Sequence, residues 1–102
     1  SYAFDWHGPS MISDTACSSS LVALHEACRS LRADETSLAV VGSANVLISP
    51  ITSANLAVSG VLSPSGAVRA FEAQADGFVR ADAAVVIGLK RLTDAVEHGD
   101  YI

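Results

Sequence analysis

The chain has 102 residues, half of them apolar and 17% charged, a balance that fits a folded domain and excludes a disordered segment. Eleven acidic against six basic side chains give a formal charge of −5, which disfavours a surface for nucleic acid or anionic membrane. The apolar runs fall far short of the ~20 residues of a spanning helix and no basic-then-apolar leader opens the chain, so the expectation is a soluble, cytoplasmic protein with reduced thiols.

The first residues, "SYAFDW", lack an initiator Met, and the last, "GDYI", read as the start of another strand at Tyr101 and Ile102. An excerpt of a longer protein is expected. "HGPS", His7 to Ser10, is a turn, because Gly8 tolerates unusual dihedrals and Pro9 fixes its own. Ser10 to Ala16 reads as a short strand around Met11 and Ile12. From Ser18 to about Arg32 the spacing becomes helical. Leu21, Leu24, Cys28 and Leu31 share one face, while Glu26, Arg29 and Arg32 lie opposite. The serine cluster is expected to cap the first-turn amides, and "ADET" ends the helix.

"LAVVGSANVLIS", Leu38 to Ser49, follows, and its "LAVV" is apolar without alternation, the pattern of a strand covered on both faces. Gly42 and Ser43 leave room for a bulge or a close backbone, and Pro50 stops the strand. Thr52 to Gly60 fits a short helix, "LSPSG" a turn, and Ala67 to Asp82 irregular structure. "AAVVIGL", Ala83 to Leu89, is a second strand apolar on both faces. "LTDAVEHG" supplies one or two helical turns, closed by Gly99. The alternation of strands and helices predicts an α/β fold with a mixed sheet flanked by helices.

One stretch carries chemistry. In "DTACSSS", Asp14 to Ser20, Cys17 lies at the predicted junction of strand and helix. A buried small hydrophobe is the common role of a lone cysteine, and Cys28, on the apolar stripe, fits it. Cys17 does not, because unpaired amides and the helix dipole at that junction favour a thiolate. A sharp strand-to-helix turn also lifts the side chain out of the sheet, as in a nucleophile elbow. The two cysteines are eleven residues apart, about 16 Å along a continuous helix, too far for a disulfide. No paired metal-ligand spacing occurs, so no metal is expected. His25 lies about 12 Å further along the same helix and cannot serve Cys17 as a base. His7 and His98 read as solvated. If Cys17 is a nucleophile, its partners are outside these residues.

The stretch "GPSMISDTACSSSLVALHEACRSLR" resembles the nucleophile segment of β-ketoacyl synthases, above all the ketosynthase domains of modular polyketide synthases. The likeness continues through "LAVVGSANVLISP", "LSPSGAVRAFEAQADGFVRAD" and "VVIGLKRLTDAVEHGD", in the family's order and over nearly the whole chain. It implies a partial thiolase-like fold, a fragment of the N-terminal half. It further implies a decarboxylative Claisen condensation in polyketide or fatty-acid biosynthesis, with Cys17 as the acyl-accepting nucleophile and its backbone N–H as one oxyanion donor. Substrates would arrive on the phosphopantetheine arm of an acyl carrier protein, with no cofactor bound by residues 1–102. The family's two histidines lie in segments resembling "HGTGT" and "NIGH", which do not occur here, so the fragment alone is expected to be inactive.

The resemblance implies a half-sheet in the order 3-2-1-4-5, with strands 3, 4 and 5 supplied here, and a homodimer formed through the strand near Ser10 to Asp14. Without its central strands the chain is not expected to fold stably alone. One departure falls inside the match: Ala81, Asp82 and Ala83 stand where the family usually has Gly, an acid and Gly. Three alternatives remain open: a thiolase-like enzyme using free coenzyme A, a Cys–His hydrolase, and a non-catalytic partner subunit. Arg69 reads either as a solvated loop residue or as part of a carrier-docking surface. Asp76 and Asp82 are expected to hold loops through backbone hydrogen bonds.

Overall fold

A computed structural model describes all residues, 1–102. A 3-10 turn at Tyr2–Phe4 precedes α1 (Ser19–Arg32), β1 (Leu38–Asn45), α2 (Pro50–Val58), β2 (Ala83–Lys90) and α3 (Leu92–His98). β1 and β2 are hydrogen-bonded neighbours in a two-stranded sheet. The chain divides into two compact units, Ser1–Ser43 with Val85–Ile102, and Ala44–Ala84.

In the first unit α1 follows its apolar spacing. Arg29 and Arg32 occupy its last turn, where the dipole favours cations, and Arg29 pairs with Glu26 at 2.7 Å. The helix stops because Asp34 turns left-handed (φ 59) while the Glu35 amide donates back to the Ser30 carbonyl at 3.1 Å. Gly99 (φ 69) closes α3 in the same manner, with the Asp100 amide on the Ala95 carbonyl at 2.9 Å. Leu31, Val41 and Ala95 are the buried apolar residues.

Arg91, between β2 and α3, fastens this unit. Its Nη1 donates to the carbonyls of Leu31 (2.8 Å) and Thr36 (2.9 Å) and meets Asp34 at 2.8 Å, while Nη2 meets Asp94 at 2.6 Å. The end of α1, the following turn and the start of α3 are thereby held by one guanidinium. That hydrogen bond from Arg91, ahead of one from the Thr93 hydroxyl, holds the Asp94 carboxyl below its usual range against an opposing desolvation effect.

The second unit closes on its own stem. The Asn45 side-chain amide donates to the Ala81 carbonyl at 2.6 Å, and the Leu47 amide donates to Asp82 Oδ1. β1 therefore ends at Asn45, not at Ser49, since the Leu47 amide beyond it is taken by the Asp82 carboxylate. Ser49 caps α2 through its hydroxyl and Pro50 occupies the first turn. A residue read as a strand breaker thus begins the helix, two positions before the expected Thr52. Residues 67–82 form no regular element, as expected. Neither Ala81 nor Ala83 takes a positive φ, so the loss of two glycines there introduces no backbone strain.

Gly77 holds the tightest point of this unit. It sits at φ 143, and a Cβ there would lie 2.5 Å from the Ser63 nitrogen and 2.6 Å from the Leu62 carbonyl carbon. The close approach lets the Ser63 amide donate to the Phe78 carbonyl at 2.9 Å and the Phe78 amide to the Val61 carbonyl at 3.1 Å. At Gly42, by contrast, only the Val86 side chain comes within 4.0 Å of a built Cβ, so no backbone uses the space expected there.

Three expectations fail. Ser10–Asp14 is not a strand: only an isolated bridge joins Thr15 and Cys17, because no other segment of the chain supplies a ladder to residues 10–14. Tyr101 and Ile102 form no strand for the same reason. The strands are not covered on both faces either. Val85, Val86 and Ile87 are exposed, as are Leu38 and Val40. The total accessible surface is 8194 Å², whereas a self-contained folded chain of 10.5 kDa exposes about 5,400 Å². The apolar strands are written for neighbours that these residues do not contain.

Candidate functional site at Cys17

Cys17 is exposed, two residues before α1 begins, and both cysteines are free thiols. The first turn of α1 contains no acidic residue, so no carboxylate within it offsets the positive end of the dipole. The turn that presents Cys17 is strained one residue earlier than a nucleophile elbow would place it. Ala16, not Cys17, adopts the left-handed conformation, at φ 59.

The residues of "DTACSSS" hold that conformation themselves. Asp14 Oδ1 accepts from the Ala16 amide at 3.2 Å. The Ala16 carbonyl accepts from the Ser19 hydroxyl at 2.6 Å and from the Ser19 amide at 3.1 Å. The same Ser19 hydroxyl accepts from the Thr15 amide at 2.8 Å, and the Ser18 hydroxyl donates to the Thr15 carbonyl at 2.9 Å. A left-handed alanine costs about 1–2 kcal/mol. Each hydrogen bond returns roughly 0.5–1.5 kcal/mol, so the three on Ala16 together offset the strain.

The serine hydroxyls therefore turn back onto the preceding turn. Ser18, the N-cap, makes no side-chain capping bond, contrary to the expectation from sequence. None of the hydrogen bonds of this knot is made by the Cys17 amide. That amide and the exposed thiol lie side by side at the head of the helix, an arrangement suited to attack on a carbonyl whose oxygen becomes negative.

None of the three histidines hydrogen-bonds to Cys17. His7 Nε2 pairs with Asp5 at 3.0 Å, His98 Nδ1 donates to the Asp94 carbonyl at 2.6 Å, and His25 is exposed on α1. Cys28 is half-buried on α1. Among the loop residues, Asp82 does hold a backbone amide, that of Leu47. Asp76 is held chiefly by a side chain, accepting from the Ser63 hydroxyl at 2.6 Å. The Ser63 bond, followed by one from Ser65, lowers the Asp76 carboxyl below its usual range. Arg69 donates to the Ser65 hydroxyl at 3.3 Å, a loop contact. A cavity of about 200 Å³ in the second unit, lined by Ser53, Leu62, Ser63, Phe78 and Arg80 among others, includes neither Cys17, Cys28 nor any of the histidines.

Sequence reasoning missed the roles of Ala16 and Arg91. Alanine gives no sign of a positive φ, although Asp14 two residues before it is the residue type that forms such a turn. The partners of Arg91 lie up to 60 residues away and leave no local signal.

The family model described as "Beta-ketoacyl synthase, N-terminal domain" matches residues 1–95. The chain is 53% identical over 102 residues to a phenolphthiocerol/phthiocerol polyketide synthase of Mycobacterium tuberculosis, covering 100% of this chain and 5% of that protein. It is 48% identical over 102 residues to the non-reducing polyketide synthase adrD of Penicillium roqueforti, covering 100% of this chain and 4% of that protein. Among solved structures, the ketosynthase from module 6 of the bacillaene synthase from Bacillus subtilis 168 superposes with a TM-score of 0.91 at 40% identity, over 99% of this chain and 18% of that one. An oxazolomycin ketosynthase domain from Streptomyces albus gives 0.87 at 44% identity, over 98% and 18%. The fold is thus that of part of a ketosynthase domain. The chain spans only a small part of each of these relatives.

Proposed function

This chain belongs to the β-ketoacyl synthase family, through its N-terminal domain, and on that premise we propose that it is the nucleophile segment of a polyketide-synthase ketosynthase. Residues 1–102 would then form part of one condensing domain. Cys17 is its nucleophile. Its sulfur attacks the carbonyl of an acyl thioester, the new S–C bond forms, and the phosphopantetheine thiol of an acyl carrier protein leaves with a proton. A malonyl-type extender then loses carbon dioxide. The carbanion left behind attacks the Cys17 thioester, the longer acyl chain stays on the carrier that brought the extender, and Cys17 leaves as a thiolate that takes a proton from solvent. The Cys17 N–H contributes one hydrogen bond to the oxyanion in both steps.

The observation that carries this reading is the placement of an exposed thiol at a helix N-terminus whose first turn holds no acidic residue, in a chain whose family match runs through residues 1–95. Residues 1–102 supply no base to Cys17, so we infer that the domain is completed by residues outside them and that this segment alone is inactive. No helix is long and apolar enough to cross a membrane. A cytoplasmic location and a homodimer are part of the proposal. Met11 and Ile12, both exposed in the unpaired Ser10–Asp14 segment, would take part in the pairing.

The test is acylation of the full-length polypeptide by an acyl thioester, read by peptide mass spectrometry. Cys17 is expected to carry the acyl group, with Cys17→Ala abolishing the label and Cys28→Ala retaining it. Absence of any label on Cys17 would favour a non-catalytic partner role instead.

A further inference from the structure

We propose that Ser19 is a positioning residue for the Cys17 amide, an inference that rests on the nucleophile reading above. The reasoning starts from one peptide plane. The Ala16 carbonyl and the Cys17 N–H belong to the same planar, trans peptide, so they point in opposite directions. Whatever fixes the carbonyl therefore aims the N–H. The Ser19 hydroxyl donates to that carbonyl at 2.6 Å, the Ser19 amide adds a second bond at 3.1 Å, and the hydroxyl oxygen is itself fixed by the Thr15 amide at 2.8 Å. On the other side of Ala16, Asp14 Oδ1 holds the amide at 3.2 Å and keeps the residue left-handed at φ 59.

The Ser19 hydroxyl thus grips the chain at Thr15 N and Ala16 O, on both flanks of the left-handed alanine, and fixes the plane from which the Cys17 amide projects. Ser18 is different. Its hydroxyl donates to the Thr15 carbonyl and lies 2.8 Å from Thr15 Oγ1, and neither contact touches the Ala16–Cys17 peptide. Of the two hydroxyls, only that of Ser19 controls the direction of the oxyanion donor.

The consequence separates two reactions of one sulfur. Acylation by a thioester passes through an oxyanion and needs the aimed N–H. Alkylation by iodoacetamide displaces iodide at a saturated carbon and forms no oxyanion. In the full-length polypeptide, Ser19→Ala is expected to slow Cys17 acylation about tenfold or more, below the full loss on removing an oxyanion donor. Iodoacetamide alkylation at Cys17 should stay within about twofold of the parent, because it follows the thiolate and its access. Ser19→Thr keeps the hydroxyl and is expected to restore most of the acylation rate.

If Ser19→Ala alone does not fold, the double variant A16G/S19A carries the test, since glycine adopts the left-handed conformation without strain. Its acylation is expected to remain slow, because the carbonyl still lacks its hydroxyl partner. Acylation of Ser19→Ala at the parental rate would overturn the inference, as would equal losses in acylation and alkylation. Failure of the parent itself to acylate at Cys17 would overturn the nucleophile reading and this inference with it, and is recognised in the unmutated protein.

Discussion

Replacing Gly77 by alanine tests how the second unit is locked. The new Cβ would meet the Ser63 nitrogen at 2.5 Å, the Leu62 carbonyl carbon at 2.6 Å and the Ser63 Cα at 2.8 Å. These are backbone atoms and cannot swing aside as a side chain would. Relief to ordinary contact requires the two segments to separate by nearly an ångström. The Ser63–Phe78 bond, now 2.9 Å, then passes beyond hydrogen-bonding range, and the Phe78–Val61 bond at 3.1 Å is strained with it. Two lost hydrogen bonds at roughly 0.5–1.5 kcal/mol each, with about 1–3 kcal/mol for the unfavourable φ, give a cost of about 2–6 kcal/mol. Gly60→Ala is the matched control. Gly60 is also at positive φ (72), yet nothing lies within 4 Å of its built Cβ, so it bears the conformational cost alone, about 1–2 kcal/mol. The assay is amide hydrogen exchange in the full-length polypeptide, read on peptides covering Val61–Ser63 and Gly77–Val79. At about 1.4 kcal/mol per tenfold, Gly77→Ala should lose protection there by roughly two to four orders of magnitude, and Gly60→Ala by about one. Equal losses in the two variants would refute the steric argument.

Other expectations follow from the same contacts. The 102-residue chain alone, exposing about 2,800 Å² more than a self-contained domain of its mass, should bind a hydrophobic dye and melt without a cooperative transition; a sharp calorimetric peak would contradict this. Arg91→Ala removes the contacts to Leu31, Thr36, Asp34 and Asp94 and should cost the full-length polypeptide about 2 kcal/mol, with Arg91→Lys recovering less than half, because an ammonium cannot reproduce the fork. Urea titration of both variants decides it. The Asp94 carboxyl is lowered by Arg91, so its contribution is complete above the ordinary aspartate value of about 3.9 and is lost as pH falls through the lower folded value. Asp94→Asn should flatten the acid limb of stability below about pH 4 and leave its neutral slope unchanged.

Local chemistry was legible where local chemistry decides. The apolar spacing of Leu21, Leu24, Cys28 and Leu31 marks α1 to within one residue of its start, and Gly99 marks the end of α3. The run from Ala83 marks β2 to within one residue of its end. The misreadings share a cause, namely partners distant in sequence or absent from the chain. β1 ends early because Asp82, 35 positions on, takes the Leu47 amide just beyond it, while Ala81, 36 positions from Asn45, holds the side chain of its last residue. Ser10–Ala16 is a strand in expectation only, since a strand exists through its neighbour. The serines near Cys17 were expected to face forward into the helix and instead face back, a choice set by the left-handed turn at Ala16. The setting of Cys17, just ahead of α1, was legible because it is written in adjacent residues.

The stem that fastens Asn45 to Ala81 and Leu47 to Asp82 has a meaning in polymer terms. It fixes both ends of the excursion between the two strands, so what lies inside is a closed ring whose circumference is nearly free to vary. Doubling the length of a flexible ring costs only about 0.6 kcal/mol in closure entropy. Added residues in the irregular stretch near Ala67–Ala75 would enlarge the ring without pulling on either strand. Growth of this protein by insertion is therefore cheapest inside the stem, where length is decoupled from register.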